Sequence, residues 1–143
     1  MGAIEAFQNE YRFLSNFFEA PVEYGGLRYP NNEAAFQAQK CLTEEEKLQF
    51  TGFVPVKAKS VGRRVQLRPD WEQVKLGLME EIVRAKFTQN AWLGQRLLST
   101  GNARLVEGNN WNDVYWGVNI KTGEGENHLG EILMKVRAEL RGE

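Results

Sequence analysis

Hydrophobic and polar positions change their period several times along the chain, and each change marks an element. From Phe7 through Tyr11, Phe13, Leu14, Phe17 and Phe18 to Pro21, aromatic residues and turn formers follow no helical period, so this stretch reads as irregular packed chain. Val22-Glu23-Tyr24 and Leu27-Arg28-Tyr29 then flank Gly25-Gly26, a pair that supplies the positive φ angles a tight hairpin turn needs. After Pro30 the spacing becomes helical. Asn31 or Asn32 is placed to cap a helix, Glu33 suits the positive end of its dipole, and the pattern runs to about Leu42. Thr43 and Glu46 have capping-box spacing and predict a short helix over 44–50 that stops at Gly52. Pro55 and Gly62 bracket another.

The longest helix opens at Arg68-Pro69-Asp70-Trp71, with Trp71, Val74, Leu78, Ile82 and Ala85 as its apolar stripe. A further helix covers roughly 91–99 and ends at Gly101. The last runs from Asn127 with Leu129, Ile132, Leu133, Val136 and Leu140 on one face. Between these two, Leu105-Val106 predicts a short strand and the rest of 104–119 an ordered loop. No repeat or linker interrupts the chain. The expectation is a predominantly α fold with an α+β minority: one compact multihelical domain over residues 1–143 carrying a short N-terminal β-hairpin.

Composition narrows the function. A chain of 143 residues is about one domain in length, and 42% hydrophobic with 26% charged residues is ordinary for a globular protein. A formal net charge of −1 excludes a broad basic footprint for nucleic acid, so any such contact must be local. The single cysteine, Cys41, forms no internal disulfide, which suits a reducing cytoplasm. The first residues show neither a basic start nor a long apolar run, so no signal peptide, membrane span or membrane partner is expected.

Three segments carry candidate chemistry. On the helix after Pro30, Ala34, Ala35, Ala38, Cys41 and Leu42 form a small-residue stripe, while Glu33, Phe36, Gln37 and Lys40 fall on the opposite face at i, i+3, i+4 and i+7. Spacing alone does not separate a reactive carboxylate–amine pair from a solvated ion pair. The loop from Gly108 to Gly117 holds Trp111, Tyr115 and Trp116 with Asn109, Asn110, Asn112 and Asp113. A tryptophan there can stack on a heterocycle or plug the core, and Asp113 with Trp116 is the pair retained. Lys57, Lys59, Arg63, Arg64 and Arg68 lie within twelve residues that contain no acid, a cluster that can bind phosphate beside Gly62. Elsewhere, Asp70 reads as a helix-start residue, Cys41 as core, His128 has no partners at metal spacing, and Lys86 with Gln89-Asn90 carries no specific signal. One His and one Cys leave no nucleophilic triad of the usual kind, so an enzyme here works by metal-free acid–base chemistry with no cofactor.

Taken in order, Phe13-Leu14-Ser15-Asn16-Phe17-Phe18, Tyr29-Pro30 with Glu33, Ala35-Phe36-Gln37-Ala38-Gln39-Lys40, Gly62-Arg63, Arg68 with Asp70-Trp71, Lys86-Phe87, Gly108-Asn109, Trp111, Asp113 and Trp116-Gly117 resemble the NADAR, or YbiA-like, family from about Phe7 to Leu140. The resemblance implies a mainly helical fold and N-glycosidase activity. The substrates it implies are small ribosyl or ADP-ribosyl compounds: ribosylamino intermediates of riboflavin biosynthesis, or ADP-ribose on guanine, with ADP-ribosylated nucleic acid as a further carrier. Position by position it points to Glu33, Trp71, Asp113 and Trp116, with Lys40 as catalytic amine. Asn32 departs from the Ser or Thr that relatives often place before the glutamate.

Cleaving a ribosyl C–N bond builds positive charge on the anomeric carbon and negative charge on the leaving nitrogen. The expected roles are Lys40 as nucleophile or imine former, Glu33 as proton shuttle and Asp113 as orienting carboxylate. Trp71 and Trp116 serve as stacking walls, Arg63 holds phosphate, and Phe36 and Asn16 contact substrate. These groups are expected to meet around one water-poor cleft. A module that binds ADP-ribose or a modified nucleotide without cleaving it, and a metabolic repair protein whose partners set specificity, are the alternatives.

Overall fold

Gly25 and Gly26 adopt φ of 59° and 87°, and the chain reverses there between strands β2 (Glu19–Tyr24) and β3 (Leu27–Asn31), as the alternating pattern predicts. This hairpin belongs to the computed structural model of the chain, which describes residues 2–143 and is half helix and 13% strand. The chain forms two compact units: one runs from Asn16 to Asn90, and the other combines the residues up to Ser15 with Ala91–Glu143.

In the Asn16–Asn90 unit the hairpin leads directly into α1 (Asn32–Ala38). Asn31 caps this helix, its Oδ1 accepting the Ala34 N–H at 2.8 Å, while its Nδ2 donates to the Phe53 carbonyl at 3.0 Å. The helix ends earlier than the period suggests. Gln39, Lys40 and Cys41 donate their N–H groups to Phe36, Gln37 and Ala38, three residues back, so the chain tightens into a 3₁₀-like turn. Lys40 therefore sits in the turn beyond α1 rather than on its face, and Leu42 is exposed rather than part of a packing stripe.

Thr43 Oγ1 accepts the Glu46 N–H at 3.2 Å and starts α2 (Glu44–Leu48), which passes into a 3₁₀ turn over Gln49–Gly52. Pro55 opens α3 (Pro55–Gly62). The 19-residue α4 (Trp71–Gln89) follows, and its buried stripe is Trp71, Met79, Ile82, Val83, Lys86 and Phe87, rotated from the expected one. Its C-terminal end clamps the hairpin: Gln89 accepts the Glu23 N–H and donates to the Glu23 carbonyl, and Asn90 donates to the Pro21 carbonyl. Gln89 and Asn90, silent in the sequence, thus satisfy the open edge of β2.

The other unit is built on α5 (Ala91–Ser99) and α6 (His128–Leu140), whose Leu93, Leu97, Leu129, Ile132, Leu133 and Val136 are buried. Arg104–Leu105 forms β4 where a strand was expected, and pairs in parallel with β1 (Ala3–Ile4). A second parallel pair, β5 (Gly108–Asn109) with β6 (Val118–Asn119), and a 3₁₀ turn over Asn9–Leu14 were not foreseen, being too short for periodicity to register. Buried Asn127 ties this region to the start of α6 by donating to the Leu105 carbonyl and accepting the Glu107 N–H, both at 2.9 Å. No helix among the described residues is long and apolar enough to cross a membrane.

The cap at Asn31 is doubly engaged and fully buried, so Asn31→Ala removes a cap and strands the Phe53 carbonyl. A loss of about 2 kcal/mol is expected in urea unfolding, with the cooperativity of the transition kept.

Candidate active site

Every residue of α1 is buried, including Asn32, Glu33 and Gln37, which removes the solvated-face reading of its polar side. A carboxylate buried in this way is stabilised by protein donors. Glu33 is 8% exposed, its N–H donates to the Asn16 carbonyl at 3.1 Å, and its Oε2 accepts Gln37 Nε2 at 2.7 Å. The first-turn position adds the favourable end of the helix dipole. Asn16 sits in the same cluster: its Oδ1 accepts Asn32 Nδ2 at 3.4 Å, and its own amide lies 3.4 Å from the Met79 sulfur of α4.

Two acceptors here, Asn32 Oδ1 and Gln37 Oε1, are buried without a hydrogen-bond partner. Each such atom costs about 1–3 kcal/mol relative to a satisfied one, so stability alone does not explain amides at these positions. Gly62 is what lets the Gln37 amide lie against α3. A Cβ at position 62 would lie 2.0 Å from Gln37 Oε1, so α3 packs against α1 only because residue 62 has no side chain. The sequence suggests a phosphate contact beside Gly62. Its structural part is this close approach.

The turn after α1 carries Lys40 toward Trp71. Phe36 and Trp71 pack with ring centroids 5.1 Å apart at 52°, and Lys40 Nζ lies 5.8 Å from the Trp71 ring. Arg68 holds the turn in place by donating its backbone N–H to the Lys40 carbonyl at 3.0 Å and a guanidinium N–H to the Gln39 carbonyl at 3.3 Å. Its guanidinium also pairs with Asp70 at 2.6 Å, which makes Asp70 a tether for Arg68 at the helix start. Burial pushes the Lys40 amine below the usual lysine range. The Glu33 carboxylate opposes that shift, and the positive charges of Arg63 and Lys75 add to it. Arg63 itself is exposed at the end of α3, close enough for its charge to act on Lys40. Of the remaining basic cluster, Lys57 and Lys59 lie over Phe53 and Phe17, and Arg64 bonds to Ser60.

In the other unit, Asp113 Oδ1 accepts the N–H groups of Tyr115 and Trp116 at 3.2 and 3.0 Å, and Asn109 braces the Asp113 backbone from both sides. Trp116 is half-buried and packs edge-on to Tyr115 at 4.7 Å, whereas Trp111 is 58% exposed and plugs no core. The loop is therefore an ordered frame for its aromatic residues. Among the described residues no cluster of three or more His, Cys, Asp or Glu side chains could hold a metal.

Lys86 is the group that sequence reasoning missed. It is 1% exposed, its amine lies 5.6 Å from the Phe18 ring and 5.0 Å from the Phe87 ring, and burial brings its pKa down to about 7. The signal was available. Met79, Ile82, Val83, Lys86 and Phe87 follow the i, i+3, i+4, i+7, i+8 pattern, so Lys86 stands on the apolar stripe once its register is taken from Met79.

The chain belongs to the NADAR domain family, whose match covers residues 4–141. It is 40% identical over 135 residues to N-glycosidase YbiA of Escherichia coli (strain K12), covering 92% of this chain and 83% of that protein. It is 36% identical to N-glycosidase Npun_R5314 of Nostoc punctiforme, covering 92% of this chain and 86% of that one. The NMR structure of E. coli YbiA superposes with a TM-score of 0.84 at 38% identity, covering 99% of this chain and 84% of the other. A riboflavin biosynthesis protein of Vibrio vulnificus, VVA0006, is 37% identical over 134 residues, which span 35% of its length.

The depressed Lys86 pKa sets a stability prediction. Between about pH 7 and the ordinary lysine value of 10.5 the unfolded chain binds a proton that the folded chain does not, so folding stability rises with pH across that window. Lys86→Met removes this dependence. The variant is expected to be more stable than wild type by a few kcal/mol at pH 6, with the difference shrinking toward pH 10 in denaturant titrations. A variant less stable at every pH would contradict the assignment.

Proposed function

We propose that this chain hydrolyses the N-glycosidic bond joining ribose to a nitrogen base, acting on ADP-ribosylated guanine or on ribosylamino intermediates of riboflavin biosynthesis. The observation that carries the reading is the pairing of a buried carboxylate, Glu33, with an amine, Lys40, whose pKa burial lowers, beside the packed rings of Phe36 and Trp71. Membership in a family with relatives named N-glycosidase supports the hydrolytic class, and the Vibrio relative's riboflavin name supports one of the two substrate classes.

Two routes use the same groups and consume one water. In direct hydrolysis the leaving nitrogen takes a proton as the C–N bond breaks, water adds to the anomeric carbon, and a carboxylate removes the proton from that water. In the imine route the ribosylamine opens to an imine at the anomeric carbon. Neutral Lys40 adds there, the amine base leaves with a proton, and water hydrolyses the lysine Schiff base to free the sugar and regenerate Lys40. Glu33 moves the proton in either case. Trp71 supplies a stacking wall, Arg63 a phosphate contact, and Phe36 and Asn16 line the substrate. The family resemblance adds Asp113 as orienting carboxylate and Trp116 as a second wall.

The test is turnover of ADP-ribosyl-guanosine and of a ribosylaminopyrimidine by wild type, Glu33→Gln, Lys40→Ala and Asp113→Asn, followed by chromatography of the freed base. Losses of about 100-fold or more in kcat are expected for the first two variants. Unchanged rates in all three, or binding without product by the wild type, would overturn the reading. Borohydride trapping separates the routes: an adduct at Lys40 supports the imine, and an adduct at Lys86 would move the nucleophile's role to that residue.

A further inference from the structure

The Gln37 amide is oriented to serve an ionised Glu33. Gln37 Nε2 faces Glu33 Oε2 at 2.7 Å, and this leaves Gln37 Oε1 buried with no donor. Turning the amide over would set its oxygen against the carboxylate oxygen, acceptor against acceptor, so an ionised Glu33 permits only the orientation observed. A protonated Glu33 would permit the reverse. The α3 backbone packs against this amide, and only a glycine fits there, because a Cβ at position 62 would stand 2.0 Å from Oε1, 2.7 Å from Cδ and 3.1 Å from Cβ of Gln37. The helix–helix contact and the hydrogen bond therefore act together on one carboxylate.

We propose that Gln37, packed against the α3 backbone at Gly62, is a positioning residue that keeps Glu33 ionised and oriented, so that Glu33 enters the reaction as a base and not as the acid that protonates the leaving group. The inference rests on Glu33 taking part in the chemistry proposed above. A donated hydrogen bond favours the charged carboxylate, and fixing one oxygen of the group fixes the direction in which it takes a proton. Both residues are buried: Gln37 is 6% and Glu33 8% exposed. Retaining an unsatisfied acceptor beside the site is what a residue kept for orientation rather than for stability would show.

The experiment measures kcat against pH and melting temperature for Gln37→Met, Gln37→Glu and Gly62→Ala, with Glu33→Gln as reference, on whichever of the two substrates above the wild type turns over. For Gln37→Met the expected result is a fall in kcat between about tenfold and a hundredfold. Its acidic limb moves to higher pH, and its melting temperature is unchanged or raised because the unsatisfied oxygen is gone. Gln37→Glu keeps the volume against α3 and moves the limb further, since two carboxyls then share the site. Gly62→Ala pushes on Gln37 from α3, and the same limb shift is expected together with a lower melting temperature. If Gln37→Met does not fold, the Gln37→Glu profile decides. A wild-type pH profile in Gln37→Met and Gln37→Glu alongside an inactive Glu33→Gln would overturn this inference alone. Full activity in Glu33→Gln would overturn the catalytic reading and this inference with it.

Discussion

A seven-residue helix with no solvent face has to provide internally whatever its polar residues would take from water, and α1 meets that constraint around Glu33. Placing an ionised carboxylate in such surroundings is unfavourable unless donors converge on it. The Gln37 amide and the helix N-terminus do so, and the Asn16 carbonyl ties down the Glu33 backbone. The neighbouring elements are fitted to this arrangement. Asn31 starts the helix and reaches Phe53, Gly62 lets α3 close on Gln37, and Arg68 ties the Lys40 turn to the start of α4. The same exclusion of water that makes Glu33 dependent on these donors lowers the affinity of Lys40 for its proton.

Stability and chemistry pull apart in this unit. Two amide oxygens without donors and a lysine on the apolar stripe of α4 are features that a sequence selected for stability alone would replace. The two oxygens lie on α1 and the lysine on the apolar stripe of α4, all within the Asn16–Asn90 unit. The other unit shows the opposite economy. The polar groups around Asn109, Asp113 and Asn127 are spent on holding a loop and two short parallel strand pairs in order. Its aromatic residues stand on a rigid frame, the condition a stacking surface needs.

Much of this was legible in the sequence because it rests on local signals. Gly25-Gly26 marks the turn, Thr43 and Pro55 mark helix starts, and the periodic stripe of the last helix marks its buried face. What escaped rests on tertiary contacts. No periodicity could show that α1 would be covered on every side, so its polar face read equally well as solvent-exposed. The 3₁₀ tightening that moves Lys40 off the helix depends on Arg68, 28 positions further along the chain, gripping the turn. Gly62 looked like a stop signal, and its contact with Gln37 exists only after α3 meets α1. The family motifs point to Glu33, Trp71 and Lys40, and the structure sets the Lys40 amine 5.8 Å from the Trp71 ring. Lys86 stood in the same motif string, and only burial distinguished it.

The most direct measurement is an amide and indole NMR titration of the 16.4 kDa protein with ADP-ribose and with ribose 5-phosphate. The account predicts saturable shifts at Glu33, Gln37, Lys40 and the Trp71 indole, lost in Glu33→Gln. Shifts confined to the roughly 360 Å³ hollow lined by Glu10, Tyr11, Phe13, Arg96 and Thr100 would contradict it.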